Sequence, residues 1–242
     1  MTLLVALTGK DGIVLAADSR GTFGDPRGVT AQNDAQEKLH ILAKHVAVMI
    51  AGSGEVGSLV IDIAKKEAEG NGLDWASPVM EALRATSRKQ YQEWFPSVPA
   101  IQAPQLAQTG QGAVRPDLAF IVSGYEEDGS PKIFGLGSFM DFSPALHQYG
   151  FAVQGVAQYA LYLLNRLYES ERTVSDLTPL AVYAITETAS QDGKVGGPVS
   201  VVTIRPGAVG CERLSDATVT EIQSVNVARQ DALKNSFYSR RR

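Results

Sequence analysis

Residues 1–20 read MTLLVALTGKDGIVLAADSR, and this stretch decides the fold. Two apolar runs, 3–7 and 13–17, flank a Thr-Gly-Lys-Asp-Gly segment at 8–12, the pattern of a β-hairpin. Both runs are apolar at almost every position, so the hairpin belongs in a sheet covered on both faces. Thr2 stands at the start of the first strand. Removal of Met1 would set its hydroxyl beside a free α-amine. With a reference pKa of roughly 7.7–8.0, that amine could take the hydroxyl proton near neutral pH. Taken alone, Thr2 reads as an ordinary first residue; the rest of the chain is what shifts the reading towards chemistry.

The chain has 242 residues, 44% of them hydrophobic and 20% charged, with a formal net charge of −4. These values describe a soluble globular protein, and the length suits one large domain over 1–242. The mild acidity offers nothing to nucleic acid, and no apolar run reaches membrane-spanning length. No secretory pattern opens the chain. Cys211 is the single cysteine, which excludes an internal disulfide and fits a cytoplasmic location. His40, His45 and His147 have no metal-ligand spacing and read as structural or surface residues, so no metal or other cofactor is expected.

Outward from the hairpin, 21–28 (GTFGDPRG) reads as a turn-rich loop. Strands are expected at 38–42 and 46–51, the second running into Gly52-Ser53-Gly54. A helix follows from about Gly54, with Val56, Leu59, Val60, Ile63 and Ala64 at helical spacing. A second helix is expected over 77–93, opened by Ser77-Pro78. Residues 95–116, rich in Pro, Gln, Gly and Ala, predict a long surface loop or interface arm. A hairpin over 118–124 and 132–137, a strand at 151–153, helices over 157–168 and 177–190, and strands at 199–204 and 210–214 complete the elements. The tail 227–242 ends in Arg240-Arg241-Arg242 and reads as mobile or as a neighbour contact, with polyanion binding a lesser alternative. The order strands, helix pair, strands, helix pair, strands implies an α+β fold. It is a four-layer αββα sandwich of two antiparallel sheets flanked by helix pairs.

Four segments carry a family resemblance: GKDGIVLAADSR at 9–20, EKLH at 37–40, VMIAGSGE at 48–55 and SQDGKVGGPVSVVTI at 190–204. In this order and spacing they resemble a proteasome β-type subunit, an N-terminal nucleophile hydrolase, and within that family the bacterial proteasome homologues. The resemblance covers 2 to about 205. It implies that Thr2 is the nucleophile, Asp18 and Lys38 its acid and lysine partners, and Gly52 the oxyanion-binding N–H. It further implies that Asp192 is a second aspartate near the threonine. Thr22 would pair with bound peptide through its backbone, and Ile50 would line the pocket for the side chain before the cut, favouring apolar residues. Two positions depart from the family. Its serines before the third helix and after the second aspartate are Ala157 and Val195 here.

The chemistry implied is an acyl transfer. Lys38 as an ammonium favours deprotonation of Thr2, Asp18 orients Lys38, and the α-amine serves as base. A retained Met1 would turn that amine into an amide. The resemblance also implies peptide or unfolded-protein substrates and homo-oligomeric stacked rings, with seven subunits the first expectation and six the second. An unidentified ATPase or regulator is a possible partner. Two further readings stay open: a ring-forming scaffold with weak or lost hydrolysis, motivated by Ala157 and Val195, and an amidase on a small substrate.

Overall fold

The computed structural model describes residues 2–25, 28–95 and 115–238. The hairpin is built by β1 (Leu3–Gly9) and β2 (Gly12–Asp18), paired antiparallel from Leu4↔Ala17 to Gly9↔Gly12. Glycine is required where the turn meets the helical layer, because a Cβ on Gly9 would lie 2.6 Å from the Arg172 carbonyl oxygen. After the hairpin, β3 (Gly21–Asp25) and β4 (Gly28–Asn33) form a two-stranded sheet of their own. The turn-rich reading of 21–28 is corrected here. Alternation is too short in that stretch to announce strands, yet Gly21↔Asn33 and Thr22↔Gln32 pair.

The chain then runs through β5 (Leu39–Ala43), β6 (Val46–Gly52), α1 (Gly54–Gly70) and α2 (Ala76–Trp94). The expected loop over 95–116 falls almost wholly outside the described residues. It is followed by β7 (Leu118–Tyr125), β8 (Pro131–Gly137) and the short β9 (Ala145–Leu146). Next come β10 (Phe151–Gly155), α3 (Ala157–Leu167) and α4 (Val174–Gln191). The chain closes with β11 (Val199–Arg205), β12 (Gly210–Arg213) and α5 (Asp216–Tyr238). α4 starts three residues earlier than its apolar spacing suggests, because Thr173 and Asp176 close a capping box at its N-terminus.

Among the described residues there are three antiparallel sheets and five helices. The first sheet has strand order β10-β1-β2-β11-β12 and the second β5-β6-β7-β8-β9. Three apolar clusters account for the burial. Leu3, Val5 and Leu7 from one face of β1 join Ala160, Leu164, Ala181 and Ile185 of α3 and α4. Leu4 and Ala6 from its other face join Met49, Ala51, Ala119 and Ile121 of the second sheet. Val48, Ile50, Phe120 and Leu136 on the far face of that sheet join Val60, Ala64, Val79 and Leu83 of α1 and α2. A strand buried on both faces reads as a continuous apolar run, which is why the hairpin shows no alternation.

α5 carries the tail as helix through Tyr238, an element the sequence reading did not expect, and Arg240-Arg241-Arg242 lie outside the described residues. The apolar residues of α5 form no single stripe, so periodicity misses it. It is tied to α4 by polar contacts: Asn226 Nδ2 donates to the Pro179 carbonyl at 3.0 Å, and Gln230 Nε2 donates to the Glu187 carboxylate.

Candidate active site

Asp18 ends β2, and its carboxylate gathers donors from four parts of the chain. Thr2 Oγ1 donates to Oδ1 at 2.8 Å, as does Lys38 Nζ at 2.8 Å and the Leu3 N–H at 2.9 Å. The Gly196 and Arg20 N–H groups reach Oδ2 at 3.1 and 3.3 Å. Three of these positions follow from strand pairing. Leu4 pairs with Ala17 across the hairpin, bringing Thr2 and Leu3 to Asp18, and Val199 pairs with Asp18 from the other side, delivering the turn before β11. Lys38 arrives immediately before β5 of the second sheet. The Ile50 N–H donates to its carbonyl at 2.9 Å, fixing it against β6.

The side chains of Lys38 and Asp18 are 3% and 0% exposed, so the ion pair is dry. Lys38 Nζ spends a second donor on the Arg20 carbonyl at 2.7 Å. Burial lowers the Lys38 pKa below that of a free lysine, and the Asp18 charge opposes the shift without cancelling it. A hydroxyl and an ammonium therefore meet on one carboxylate oxygen. That is a charge-balanced set able to stabilise an oxyanion forming at Thr2.

Gly52, at the end of β6, lines the same cleft as Thr2. Its φ of 95° and a hypothetical Cβ 2.1 Å from the Asp117 carbonyl oxygen admit only glycine. Thr22 on β3 and Ile50 on β6 line the cleft as well, which encloses about 690 Å³. Asp192 is not brought into this group. Its carboxylate accepts the Lys194 N–H at 2.9 Å and its carbonyl the Val195 N–H at 3.1 Å, so it shapes the turn that presents Gly196. Ala157 opens α3 one residue beyond Val156, whose N–H donates to the Thr2 carbonyl at 2.8 Å, and Val195 is buried.

Residues 2–204 match the family model described as proteasome subunit. The chain belongs to the proteasome family. The proteasome subunit beta 2 of Pyrococcus furiosus is 32% identical over 206 residues, covering 84% of this chain and 86% of the relative. The proteasome subunit beta of Saccharopolyspora erythraea, a bacterial relative, is 26% identical over 233 residues, covering 91% of this chain and 75% of its own. These likenesses make it a proteasome β-type subunit. Among solved structures, Anbu from Hyphomicrobium sp. strain MC1 superposes with a TM-score of 0.73 at 17% identity, over 99% of this chain and 98% of that one. That likeness concerns the fold alone.

The sequence reading missed the supports of this proteasome-type site. Arg20 grips the Asp34 carboxylate with two donors, at 2.7 and 2.8 Å, and reaches the Gly193 carbonyl at 3.0 Å. Ser19 Oγ donates to the Asp34 carbonyl at 2.8 Å. A Cβ on Gly196 would lie 2.6 Å from the Arg20 guanidinium carbon, so the Gly196-Gly197 pair makes room for these contacts. His40 on β5 and Asp62 on α1 also line the cleft. Asp62 falls on the helical stripe of Glu55 and Ser58. Among the described residues no group of His, Cys, Asp and Glu could hold a metal ion, and no helix is long and apolar enough to cross a membrane.

Proposed function

We propose that this chain is a threonine-type endopeptidase, an N-terminal nucleophile hydrolase that becomes active when Met1 is removed. One observation supports this above the others: Thr2 Oγ1 and Lys38 Nζ converge on Asp18 Oδ1 at 2.8 Å each, and both residues line a cleft of about 690 Å³. Thr2 Oγ attacks the peptide carbonyl carbon while its proton passes to the α-amine. The oxyanion that forms is held by the Gly52 N–H. Collapse breaks the C–N bond, the amine product takes the proton from the α-ammonium, and an acyl-ester remains on Thr2. Water, deprotonated by the same amine, then releases the acid product. Asp192 acts through the Gly196 turn, and Thr22 aligns the peptide by its backbone.

The same reading extends to the architecture: one domain with a four-layer αββα core, assembled as homo-oligomeric rings, seven subunits per ring, in the cytoplasm. Its substrates are peptides or unfolded chains, and an ATPase or regulator would feed them. The absence of hydroxyls at Ala157 and Val195 favours a second reading, a ring-forming compartment with slow hydrolysis.

Intact mass before and after a peptide epoxyketone tests the proposal. The mass should show Met1 absent and one adduct per chain, and Thr2→Ala should take no adduct and hydrolyse no peptide. Peptidase activity in the Ala variant equal to wild type would remove Thr2 from the mechanism. A Met1-free wild type that takes no adduct would leave the compartment reading.

A further inference from the structure

Asp192 folds onto its own turn, and a different carboxylate, Asp34, stands where the segments around Asp18 meet. Its side chain accepts Arg20 Nε at 2.7 Å and Arg20 Nη2 at 2.8 Å, and its backbone carbonyl accepts Ser19 Oγ at 2.8 Å. Ser19 and Arg20 directly follow Asp18 in the chain. Held in this way, they reach the turn that closes the other side of the site. Arg20 Nη1 donates to the Gly193 carbonyl at 3.0 Å, and the Ser19 N–H donates to the Gly196 carbonyl at 3.2 Å. The Gly196 N–H then closes the circuit on Asp18 Oδ2 at 3.1 Å. The turn also lies directly on Asp34, since a Cβ on Gly197 would come within 2.8 Å of the Asp34 Cβ.

A guanidinium keeps one orientation when a planar, two-pronged partner fixes it. Without the Asp34 carboxylate, Arg20 would turn to water. Among the described residues, the Gly193 carbonyl would then keep only Gln32 Nε2, at 3.0 Å from β4. Asn33 and Ala35, on either side of Asp34, line the cleft, while the Asp34 side chain is turned to Arg20 and Gly197. Asp34 therefore acts through other residues. The two members of the pair also reach Lys38 by charge, with opposite signs. The Asp34 carboxylate favours the Lys38 ammonium, and the Arg20 guanidinium opposes it. The pair thus acts as one on the turn and as two on Lys38.

We propose that Asp34 is a positioning residue of this site: it fixes Arg20 and Ser19 so that the turn over 193–197 presents the Gly196 N–H to Asp18. Its kinetic consequences rest on the peptidase reading, whereas its hold on the turn rests on these contacts alone.

The test compares the full-length wild type with Asp34→Asn, Asp34→Glu and Arg20→Ala. Hydrogen exchange over 193–198, read by mass spectrometry, should quicken about tenfold in Asp34→Asn and in Arg20→Ala. In both, kcat should fall about three- to tenfold with KM little changed. The alkaline limb of the pH–rate profile, where the Lys38 ammonium is lost, separates them. It should move to lower pH in Asp34→Asn, which removes a supporting charge, and to higher pH in Arg20→Ala, which removes an opposing one. A merely structural defect would move both limbs the same way. Asp34→Glu keeps the charge and should leave the limb where the wild type has it. Unchanged exchange or wild-type kcat in Asp34→Asn, or limbs that shift together in the two variants, overturns the proposal. A Met1-free wild type that hydrolyses nothing sinks the peptidase reading instead, and exchange then decides alone: quickening in Asp34→Asn keeps the positioning role, and no quickening ends it.

Discussion

Two ion pairs lie side by side at the end of β2, made by residues two apart, and they differ in almost everything but sign. Lys38–Asp18 is dry, at 3% and 0% exposure, and each partner has further hydrogen bonds that compensate its lost water. Arg20–Asp34 is partly open, at 22% and 42%, and its geometry is bidentate. The first is expensive to assemble and more expensive to break, because either partner left alone is a buried charge. The second is cheap on both counts, since water replaces whatever is lost. The proposed mechanism puts its chemistry on the first and positioning on the second. A reactive hydroxyl needs fixed charges in a dry place, whereas a turn needs only to be held in register.

The largest effect should follow removal of Asp18. Asp18→Ala strands the Lys38 ammonium and four other donors around an empty site, so we expect loss of all hydrolysis and about 3–5 kcal/mol of stability, measured by denaturant unfolding. Asp18→Asn keeps the shape and should lose activity with a smaller stability cost. Lys38→Ala should lose nearly the whole rate, as members of one catalytic unit do. Lys38→Arg should not rescue it, because a planar fork does not fit where one Nζ bonds both Asp18 Oδ1 and the Arg20 carbonyl. Near-normal turnover in Lys38→Arg would show that charge alone suffices there and would erase the contrast with the open pair.

The dry pair should also report itself through pH, with opposite signs in activity and stability. The Lys38 pKa is lowered by burial, so between that value and the ordinary lysine value the unfolded chain holds a proton that the folded chain has released. Stability therefore rises with pH across this window. Activity falls across it, because the ammonium beside Thr2 is lost. The difference in unfolding free energy between wild type and Lys38→Met isolates the group from Tyr91 and Tyr125, whose pKa values are raised by burial and which titrate in both proteins. A wild-type-minus-variant stability curve that is flat or falling through the alkaline range would mean that the pair does not shift Lys38. Arg20→Ala should do much less. The melting midpoint should hardly move, while kcat falls severalfold as the Gly196 turn loosens and its N–H contact to Asp18 weakens. A melting loss as large as that of Asp18→Ala would make the two pairs equivalent.

The same contrast explains how much was legible in the sequence. The double-faced burial of β1 and β2 reads directly from unbroken apolar runs, and Thr2, Asp18 and Lys38 were nameable because a family pattern carries them. Arg20, Asp34, Ser19 and Gly196 were not. Their contacts join 19–20, 34 and 193–196, a closure set by the pairing of β2 with β11 and by no local spacing. β3–β4 and α5 escaped for a related reason: β3 and β4 are held by pairing, and α5 buries little apolar surface beyond Val219, while periodicity reports only continuous apolar faces. Asp192 shows the converse. Its place in the family pattern suggested the threonine, while its hydrogen bonds go to its own turn.

The smallest expected effect bears on the hydroxyls that the family has and this chain lacks. Ala157 and Val195 both lie near the Thr2 strand end, yet only one is a fair place to restore a serine. Val195 is fully buried in the cluster of Leu3, Val5 and Ala184, so a hydroxyl there would lose apolar contact and need a partner. Ala157 is partly exposed at the first position of α3, where a serine costs little helix propensity and can bond locally. The Val156 N–H already holds the Thr2 carbonyl at 2.8 Å, so the next residue is presented on the side where the α-amine would form. Ala157→Ser should therefore raise kcat two- to fivefold with KM unchanged, a gain of under about 1 kcal/mol in the transition state. The acid limb of the pH–rate profile should move with it, because a new hydrogen bond to the amine changes its basicity. A higher kcat with an unmoved acid limb would place the serine's effect outside the amine. No change in either would mean that the missing hydroxyl does not limit this site, and that the dry Lys38–Asp18 pair alone sets its rate.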